Sequence, residues 1–511
     1  MQRLQNRATK LRRSLSNLDR RVTALEADLK EYAVPPKPLP PKKPERQAMS
    51  IGMNLHRWAA WSPQIPSLNV FLSSYGKGWL SQLPGQKQPW KTGDVVETTR
   101  EGWPILKPGQ AAGTVMCRAI GDNYPKGMYR LEFEGKGQID FGFAARHADG
   151  GVEVTPKKSG IYMRVDASDS QDIVHNIRLW MPGMKSGEFW NPLFTRSIRP
   201  WRVLRFMDWQ RTNKTASQRW QNRTLPGMPQ STRKGCCVEY MVDLCNRMMA
   251  NPWFCIGHLW DDEYIRKFAR FVRDGLHPRL KCHIEYSNEV WNPAMAVFHS
   301  IDTSAKAQGM SFLDTWASRA NRAFRIFSEQ WPERDRVVRV LAGQRTQPGR
   351  LERVYQEMDG NADAVACAAY FSAPMNESST VSSVLSGCWE DLKTMPDQLG
   401  AYKHIFDKYG LRPLIYEGGQ HLTAFGAEVP WQNVIEECQY VAEMEGLTDK
   451  VFGVANSVGF DLFCYFNDIN TITAHGAWGL QTHRGQAVQL CPKRRSALKQ
   501  PGARSAEHNN A

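Results

Sequence analysis

Two glutamates lie in this sequence where acid, base or nucleophile chemistry could be carried out. Glu289 belongs to the stretch Lys281–Asn292, in which an alternating, strand-like run breaks at turn-forming residues just before the glutamate. Glu417 follows a short apolar run, Pro413–Tyr416, and is followed by two glycines. Two carboxylates at the ends of two strands suit the cleavage of an acetal, in which one serves as general acid and base and the other as nucleophile.

Further side chains that could hold a substrate follow the same kind of predicted strand. They are Arg205, Asp208, Trp209, His258, Asn288, Trp291, Tyr370, His421 and Trp478. Aromatic rings can stack on sugar rings, and polar groups in a concave site can fix the orientation of a ligand. Asn292, directly after Trp291, is also a residue that a sugar site uses.

Each of these residues has a plain structural explanation as well. Arg205 could be an ordinary ion-pair residue, although beside Glu417 it would keep that carboxylate ionised. His258 fits a core histidine nearly as well as a sugar contact, and Tyr370 either belongs to the core or hydrogen-bonds Glu417. Some of the tryptophans should also fill the core. A second Asn-Glu pair, at residues 376–377, lies in a Ser/Thr-rich loop with no strand before it, and we discount it.

The elements that would position these residues alternate between buried strands and amphipathic helices. Eight strand-like runs occur, at residues 51–55, 203–207, 252–258, 282–286, 336–342, 364–371, 413–416 and 460–466. Helical spacing of apolar residues occurs between them, as in Phe312–Phe327, and Asp261 is placed to cap a helix. This alternation predicts an α/β fold, a (β/α)8 TIM barrel, whose functional residues lie at the carboxyl ends of the strands.

A run of period-two segments interrupts the alternation after the first strand. Residues 86–182 contain short alternating strands punctuated by Gly and Pro, which predicts an inserted antiparallel β-sandwich of a carbohydrate-binding type. The barrel would then start in residues 49–85 and continue through residues 183–490. Residues 491–511 are polar and basic, and we expect them to be a disordered tail.

The N-terminal region has a pattern of its own. Residues 1–32 carry a heptad repeat at Met1, Leu4, Ala8, Leu11, Leu15, Leu18, Val22, Leu25, Leu29 and Tyr32. So short a helix is marginal alone, so the repeat predicts a coiled coil that joins copies, with three copies favoured over two. A lone amphipathic helix packed on the body is the alternative. Residues 33–48 are proline-rich, which predicts an extended linker or, alternatively, an SH3-type ligand.

Composition narrows the possible partners. The net charge is +15, but residues 1–50 contribute +7 and residues 491–511 contribute +4. The remainder therefore carries only +4, which argues against a nucleic-acid-binding cleft. The 11 cysteines lack paired spacing and several fall in apolar runs, so we expect buried, reduced thiols. We see no membrane-spanning run, signal peptide or metal-ligand spacing, and we expect no cofactor.

The residues at the strand ends resemble those of the clan A retaining glycoside hydrolases, the 4/7 barrels. The resemblance implies an acid/base at Asn288-Glu289 on strand 4 and a nucleophile at Glu417 on strand 7. The further counterparts that it implies are Arg205, His258, Tyr370 and Trp478. The runs R-F-M-D-W, E-Y-S-N-E-V-W-N and Y-E-G-G-Q-H are also similar to a group of bacterial secreted proteins labelled cellulose-binding. The resemblance covers residues 49–489 and implies a β-glycan-type substrate.

Three hypotheses follow from these patterns. The first is a retaining glycoside hydrolase that cleaves a β-glycan-type or cell-surface polysaccharide. The second is an inactive glycan-binding or structural protein on the same barrel, with Trp103 or Trp180 of the sandwich as glycan contacts. The third concerns delivery, because a heptad, a stiff linker and a catalytic-looking body are typical of phage tail proteins. It predicts a virion-associated depolymerase with other virion proteins as partners, and a cytoplasmic enzyme is the alternative.

Overall fold

The computed structural model describes residues 48–87, 95–183, 187–216 and 218–504, and the structural statements below concern these ranges. In chain order the strands are β1 (Ser50–Asn54), β2 (Leu80–Gln82), β3 (Glu97–Thr98), β4 (Pro104–Ile105), β5 (Ala111–Met116), β6 (Gly127–Glu134), β7 (Gly137–Phe143), β8 (Ala145–Ala148), β9 (Gly151–Val154), β10 (Ile161–Ser168), β11 (His175–Trp180), β12 (Val203–Arg205), β13 (Asn251–Ile256), β14 (Cys282–Tyr286), β15 (Val337–Ala342), β16 (Ala364–Phe371), β17 (Arg412–Gln420) and β18 (Leu462–Tyr465). Residues 1–47, with the predicted coiled coil and nearly all of the predicted linker, lie outside the described residues.

A closed barrel of eight parallel strands forms the centre of the fold. Strands β1 and β12–β18 pair in chain order, and β18 returns to pair with β1. All eight predicted strands are confirmed, with shifts at their ends. The alternation in β14 does not separate a buried face from an exposed one, since all five of its residues are buried. One face of a barrel strand packs on helices and the other fills the barrel, so both are buried.

Helices follow the barrel strands and pack around them. They are α1 (Pro192–Ile198), α2 (Val238–Met248), α3 (Asp262–Gly275), α4 (Ala296–Gln308), α5 (Phe312–Ser328), α6 (Pro348–Glu357), α7 (Val381–Tyr409), α8 (Gln432–Cys438), α9 (Glu443–Val458) and α10 (Pro492–Lys499). The cap predicted for α3 is confirmed, because the Asp261 carboxylate accepts a hydrogen bond from the Tyr264 backbone N–H at 2.7 Å. This arrangement places loops after the strands at one end of the barrel.

The inserted sandwich is confirmed between the first and second barrel strands. One sheet has the order β2-β5-β10-β7 and the other has the order β11-β6-β9-β8. The insertion begins earlier than predicted, because β2 (Leu80–Gln82) already pairs with β5. The proposed glycan contact Trp103 is only 5% exposed and stacks on Phe71 in the sandwich core, so that hypothesis is wrong. Trp180 is half-buried and donates its indole N–H to Glu132 at 2.8 Å.

The predicted disorder from residue 491 is wrong for residues 491–504. Helix α10 packs there, and Lys493 and Arg494 are 3% and 6% exposed. Lys493 Nζ donates to the Gln439 side chain at 2.7 Å and to the Ala477 carbonyl at 2.6 Å. Arg494 donates to the side chain and backbone of Ser197. Basic composition suggested solvation, but here buried acceptors satisfy the cationic groups.

Two other predictions concern side chains throughout the fold. All 11 cysteines are buried and free, as predicted. Burial raises the pKa of several of these thiols, for example that of Cys388 to about 12, which suits unreactive core residues. In the part of the chain that the structure describes, no helix combines the length and apolarity needed to cross a membrane.

Candidate active site

The Arg205 guanidinium is the centre of the polar groups inside the barrel mouth. It ends β12 and is 0% exposed. Its Nη1 donates to Glu417 Oε1 at 2.7 Å and to Asn54 Oδ1 at 2.9 Å. Its Nη2 donates to Glu285 Oε2 at 2.8 Å and to Asn288 Oδ1 at 2.7 Å. One cation therefore connects the ends of four strands, β1, β12, β14 and β17.

Glu417 is the more deeply buried of the two predicted catalytic carboxylates, at 5% exposure. Its Oε2 accepts a hydrogen bond from the Tyr370 hydroxyl at 2.9 Å, so the predicted contact between these residues is present. Burial raises the pKa of Glu417 to about 7, against the lowering effect of Arg205, and the nearby Glu289 carboxylate raises it further. The predicted ion pair of Arg205 with Glu417 is present, and the cation lowers the pKa of this carboxyl while desolvation raises it.

A bulge in β17 lets two consecutive residues reach the site. The pairing of β16 with β17 shifts so that Cys367 opposes Ile415 while Ala368 opposes Glu417, which skips Tyr416. A bulge of this kind re-aims side chains next to functional sites. The glycines at 418 and 419 are required beside it, because a Cβ on either would collide with an aromatic ring of β18.

Glu289 occupies the turn after β14 and is half-buried. Its Oε1 accepts from the Tyr416 hydroxyl at 3.2 Å, and its Oε2 accepts from Asn292 Nδ2 at 2.7 Å. The backbone of Glu289 has φ 44° and that of Ser287 has φ 56°, both in the left-handed region. An L-residue there costs about 1 kcal/mol, so the turn stores conformational strain to aim this carboxylate.

A cleft of about 430 Å³, called the Glu289 cleft below, opens over this carboxylate. Its lining includes Trp291, Asn292, Arg345, Tyr370 and Tyr416. Arg345 donates to the Tyr370 carbonyl at 2.6 Å, which fixes this cation at the wall of the cleft. The volume falls in the range of ligand sites. A neighbouring cavity of about 330 Å³ shares Trp291 with the cleft and has Phe298, Phe312 and Trp316 in its wall.

Three of the predicted binding residues form an aromatic wall beside Glu417. The rings of Tyr370 and Trp478 have centroids 5.8 Å apart, and those of Trp478 and His421 are 4.6 Å apart. All three side chains are half-buried, so part of each faces solvent. Burial lowers the pKa of His421, which favours a neutral imidazole here.

Of the predicted binding residues, Trp209 does not fit that role, whereas for His258 the role stays a prediction. Trp209 is 1% exposed, and its indole N–H donates to the His56 carbonyl at 2.9 Å and to Gln64 Oε1 at 2.8 Å. It packs 5.1 Å from Trp58, so it is a core residue and the stacking hypothesis for it is wrong. His258 lies after β13 with a buried Nδ1 that has no hydrogen-bond partner in the structure, and burial lowers its pKa to about 4.

Asp208 and Asn288 lie on the β12 and β14 sides of the mouth. Asp208 is half-buried, and burial raises its pKa while the charges of His56 and Arg211 lower it. Asn288 is 2% exposed, accepts from Arg205 and donates to Asn213 Oδ1 at 3.0 Å. Its amide therefore orients the turn that carries Glu289. Because Asn288 is buried, other residues form the solvent-accessible edge of the site.

Glu285 is a central residue of the site that sequence reasoning missed. Its Oε2 accepts from Arg205 and, at 2.9 Å, from the Trp253 indole, whereas its Oε1 is buried without a partner. Burial raises the pKa of Glu285 above its usual range. A charged residue in the middle of a fully buried strand was the available signal, because such a residue has to be paired.

Within the four described ranges, no group of three or more His, Cys, Asp and Glu side chains could hold a metal ion. The carboxylates at the centre of the site instead have Arg205, tyrosine hydroxyls and an asparagine amide as partners. The arrangement suits proton transfer and nucleophilic attack by carboxylates.

Known proteins resemble this chain only distantly. No protein-family model and no curated protein matches it. Among solved structures it is similar to a family 51 α-L-arabinofuranosidase from Bifidobacterium longum, with 12% identity over 62% of this chain and 68% of that chain, and a TM-score of 0.44. A GH39 enzyme from Xanthomonas axonopodis pv. citri gives 12% identity over 60% and 62%, with a TM-score of 0.39. A GH5-4 endoglucanase from Clostridium acetobutylicum gives 12% over 60% and 88%, with 0.37.

The raised pKa of Glu417 predicts a specific dependence of stability on pH. The folded-state value of about 7 exceeds the usual 4.5, so between these pH values the folded protein keeps a proton that the unfolded chain has lost. Stability should therefore fall as pH rises from 4.5 to 7, by about 3 kcal/mol from this group. Glu417→Gln should remove that decrease and be more stable than the wild type at pH 8, as measured by urea unfolding.

The matched control for this measurement is Glu377→Gln. Glu377 is the glutamate of the second Asn-Glu pair and is exposed on its loop. Its substitution should leave the pH dependence of unfolding unchanged. A Glu417→Gln variant that follows the wild-type curve at every pH would contradict the assignment of the raised pKa to Glu417.

Glu285 should set the value at which Glu417 titrates. Glu285→Gln keeps the shape and the acceptor for Arg205 but removes one of two carboxylates that share this cation. The full charge of Arg205 then acts on Glu417, and the pKa of Glu417 should fall below about 7. The free energy of unfolding should therefore stop decreasing at a lower pH than in the wild type. If the decrease ends at the same pH as in the wild type, Glu285 is uncharged in the folded protein, and the prediction is contradicted.

Proposed function

We propose that this protein is a retaining glycoside hydrolase of the clan A type that cleaves a polysaccharide. The observation that supports it most is a pair of carboxylates in one barrel mouth with opposite environments. Glu417 is buried on Arg205 and Tyr370, whereas Glu289 is half-buried and faces a cleft. Distinct environments for two carboxylates are what separates the acid/base from the nucleophile.

Each carboxylate has contacts that suit its proposed step. Glu289 protonates the glycosidic oxygen while Glu417 attacks the anomeric carbon, and Glu289 then removes a proton from the water that hydrolyses the glycosyl-enzyme. Asn292 and Tyr416 donate to Glu289 and aim it at the cleft. Arg205 and Tyr370 each donate to one oxygen of Glu417, which limits rotation of the nucleophile.

We further propose that the enzyme is a virion-associated depolymerase acting on a β-glycan-type or cell-surface polysaccharide. The support is the heptad in residues 1–32 and the proline-rich residues 33–48, which suit an oligomerising anchor and a spacer. Several barrels on one anchor would gain avidity on a repetitive glycan. In this proposal the anchor joins three copies and binds other tail or capsid proteins.

The hydrolase proposal predicts activity that depends on both glutamates. On a panel of β-linked polysaccharides, the wild type should release new reducing ends, and proton NMR should show the product anomer with retained configuration. Glu417→Ala should abolish turnover, and Glu289→Gln should lower it by about 10²–10⁴-fold. On an aryl glycoside whose activated leaving group needs no acid, the rate of glycosyl transfer to Glu417 should rise with pH through about 7 as Glu417 ionises.

The control Glu377→Gln should keep wild-type activity on the same panel. Binding of a polysaccharide without any new reducing ends would favour the inactive glycan-binding alternative. An inverted product anomer would exclude Glu417 as a covalent nucleophile.

The anchor proposal predicts an oligomer that depends on the N-terminus. Light scattering should give a trimer for the full chain and a monomer for a chain that starts at Met49, because only the first has the heptad. If both chains are monomers, the virion-anchor proposal loses its main support. If both chains are trimers, the contact between copies lies in the barrel or the sandwich.

A further inference from the structure

In the part of the chain that the structure describes, a phenylalanine at the barrel mouth is far more exposed than the other aromatic side chains. Phe425, in the loop after β17, is 83% exposed, whereas the next aromatic residues in the described ranges, Tyr440 and Trp61, are 45% and 40% exposed. Single exposed apolar residues are common, so exposure alone assigns no role. Its position at the barrel mouth and the hydrogen bonds that hold its loop indicate whether Phe425 has a binding role.

The loop that carries Phe425 is held against the loop that precedes Trp478. The backbone N–H groups of Ala424 and Gly426 both donate to the Ala474 carbonyl, at 3.1 and 3.0 Å, and the Thr423 hydroxyl donates to the same oxygen at 3.3 Å. Phe425 itself has φ 53°, and its N–H donates to the Thr423 hydroxyl at 3.0 Å. Three donors on one carbonyl fix the backbone on both sides of an exposed ring.

Phe425 is also the outer end of the aromatic wall that begins at Glu417. Tyr370 donates to Glu417, and its ring lies 5.8 Å from that of Trp478. Trp478 lies 4.6 Å from His421, and His421 lies 5.9 Å from Phe425. These aromatic rings therefore form a continuous row from Glu417, the proposed nucleophile, to the solvent.

We propose that Phe425 is a stacking platform for a sugar ring beyond the one whose bond is cleaved. An aromatic face binds the CH groups on one face of a pyranose, and a ring held by its backbone loses little freedom on binding. The ligand class is a β-linked chain of pyranoses. That this ligand is also the substrate rests on the proposed function.

The position of the platform also predicts where the chain is cut. The Glu289 cleft is lined by residues that follow β14 and β15 and by residues of β16 and β17, while Phe425 lies farther out, in the loop after β17. A glycan that fills the cleft beside Glu289 and also stacks on Phe425 extends along the aromatic wall next to Glu417. We expect such a substrate to be cleaved within the chain, and we expect a disaccharide bound in the cleft to leave Phe425 uncontacted.

The test separates binding from cutting by using Glu417→Gln as the parent protein. Its affinity for mixed-linkage β-glucan, β-xylan, β-mannan and β-galactan is measured in affinity gels, with and without Phe425→Ala. We expect Phe425→Ala to weaken binding of the preferred polymer by about tenfold or more and to leave binding of its disaccharide unchanged. In the protein with Glu417 intact, Phe425→Ala should raise KM for the polymer with little change in kcat.

Phe133→Ala is the matched control, because Phe133 is a partly exposed phenylalanine (36%) on β6 of the sandwich. Its substitution should leave polymer binding unchanged. Equal polymer affinity with and without Phe425 would overturn the inference even if the wild type releases reducing ends. Polymer binding that is lost with Phe133→Ala but kept with Phe425→Ala would move the glycan to the sandwich and also overturn it.

The remaining outcomes are equally decisive. Failure of the Glu417→Gln protein to bind any of the four polymers would overturn the assignment of this ligand class. Binding that depends on Phe425 in a protein that releases no reducing ends would support the platform while refuting the hydrolase.

Discussion

The buried guanidinium of Arg205 is the interaction on which the site depends. A fully buried cation is tolerated only when its donors are satisfied, and Arg205 meets that condition with Glu285, Glu417, Asn54 and Asn288. These partners come from or directly follow three other strands, β1, β14 and β17, so satisfying one charge also sets the relative positions of several strands. Removing Arg205 itself should cost about 3–5 kcal/mol, because two buried carboxylates would be left uncompensated.

The ion pairs of Arg205 also give Glu417 surroundings that differ from those of Glu289. Glu417 and Glu285 share one cation in a desolvated interior, and burial raises the pKa of both. Glu289 stays outside this arrangement, because a strained turn lifts it toward the cleft and Tyr416 and Asn292 bind it there. Barrel geometry thus gives two glutamates, from β14 and β17, different surroundings, one buried on a cation and one facing a cleft, which suits separate acid/base and nucleophile roles.

The sequence predicted the barrel well because its signals are local. Alternation of buried strands with amphipathic helices identified all eight strands, and Asp261 was recognised as a cap from its position alone. The environment of each side chain was harder to predict, because periodicity does not say which buried face points into the barrel. Glu285 was therefore overlooked, and Trp209 was assigned to the substrate although it packs in the core. Helix α10 was missed since the acceptors of Lys493 lie 54 and 16 residues away in the chain.

We propose above all that Glu417, held by Arg205, forms the covalent bond to the sugar. Mass spectrometry of Glu289→Gln after incubation with an activated aryl glycoside tests it directly. An activated leaving group needs no acid, but water attack without the base is slow, so the glycosyl-enzyme accumulates. We predict a mass increase of one glycosyl unit, located by peptide mapping on Glu417. Release of the aryl group with the adduct on another residue, or with no adduct at all, would contradict the account.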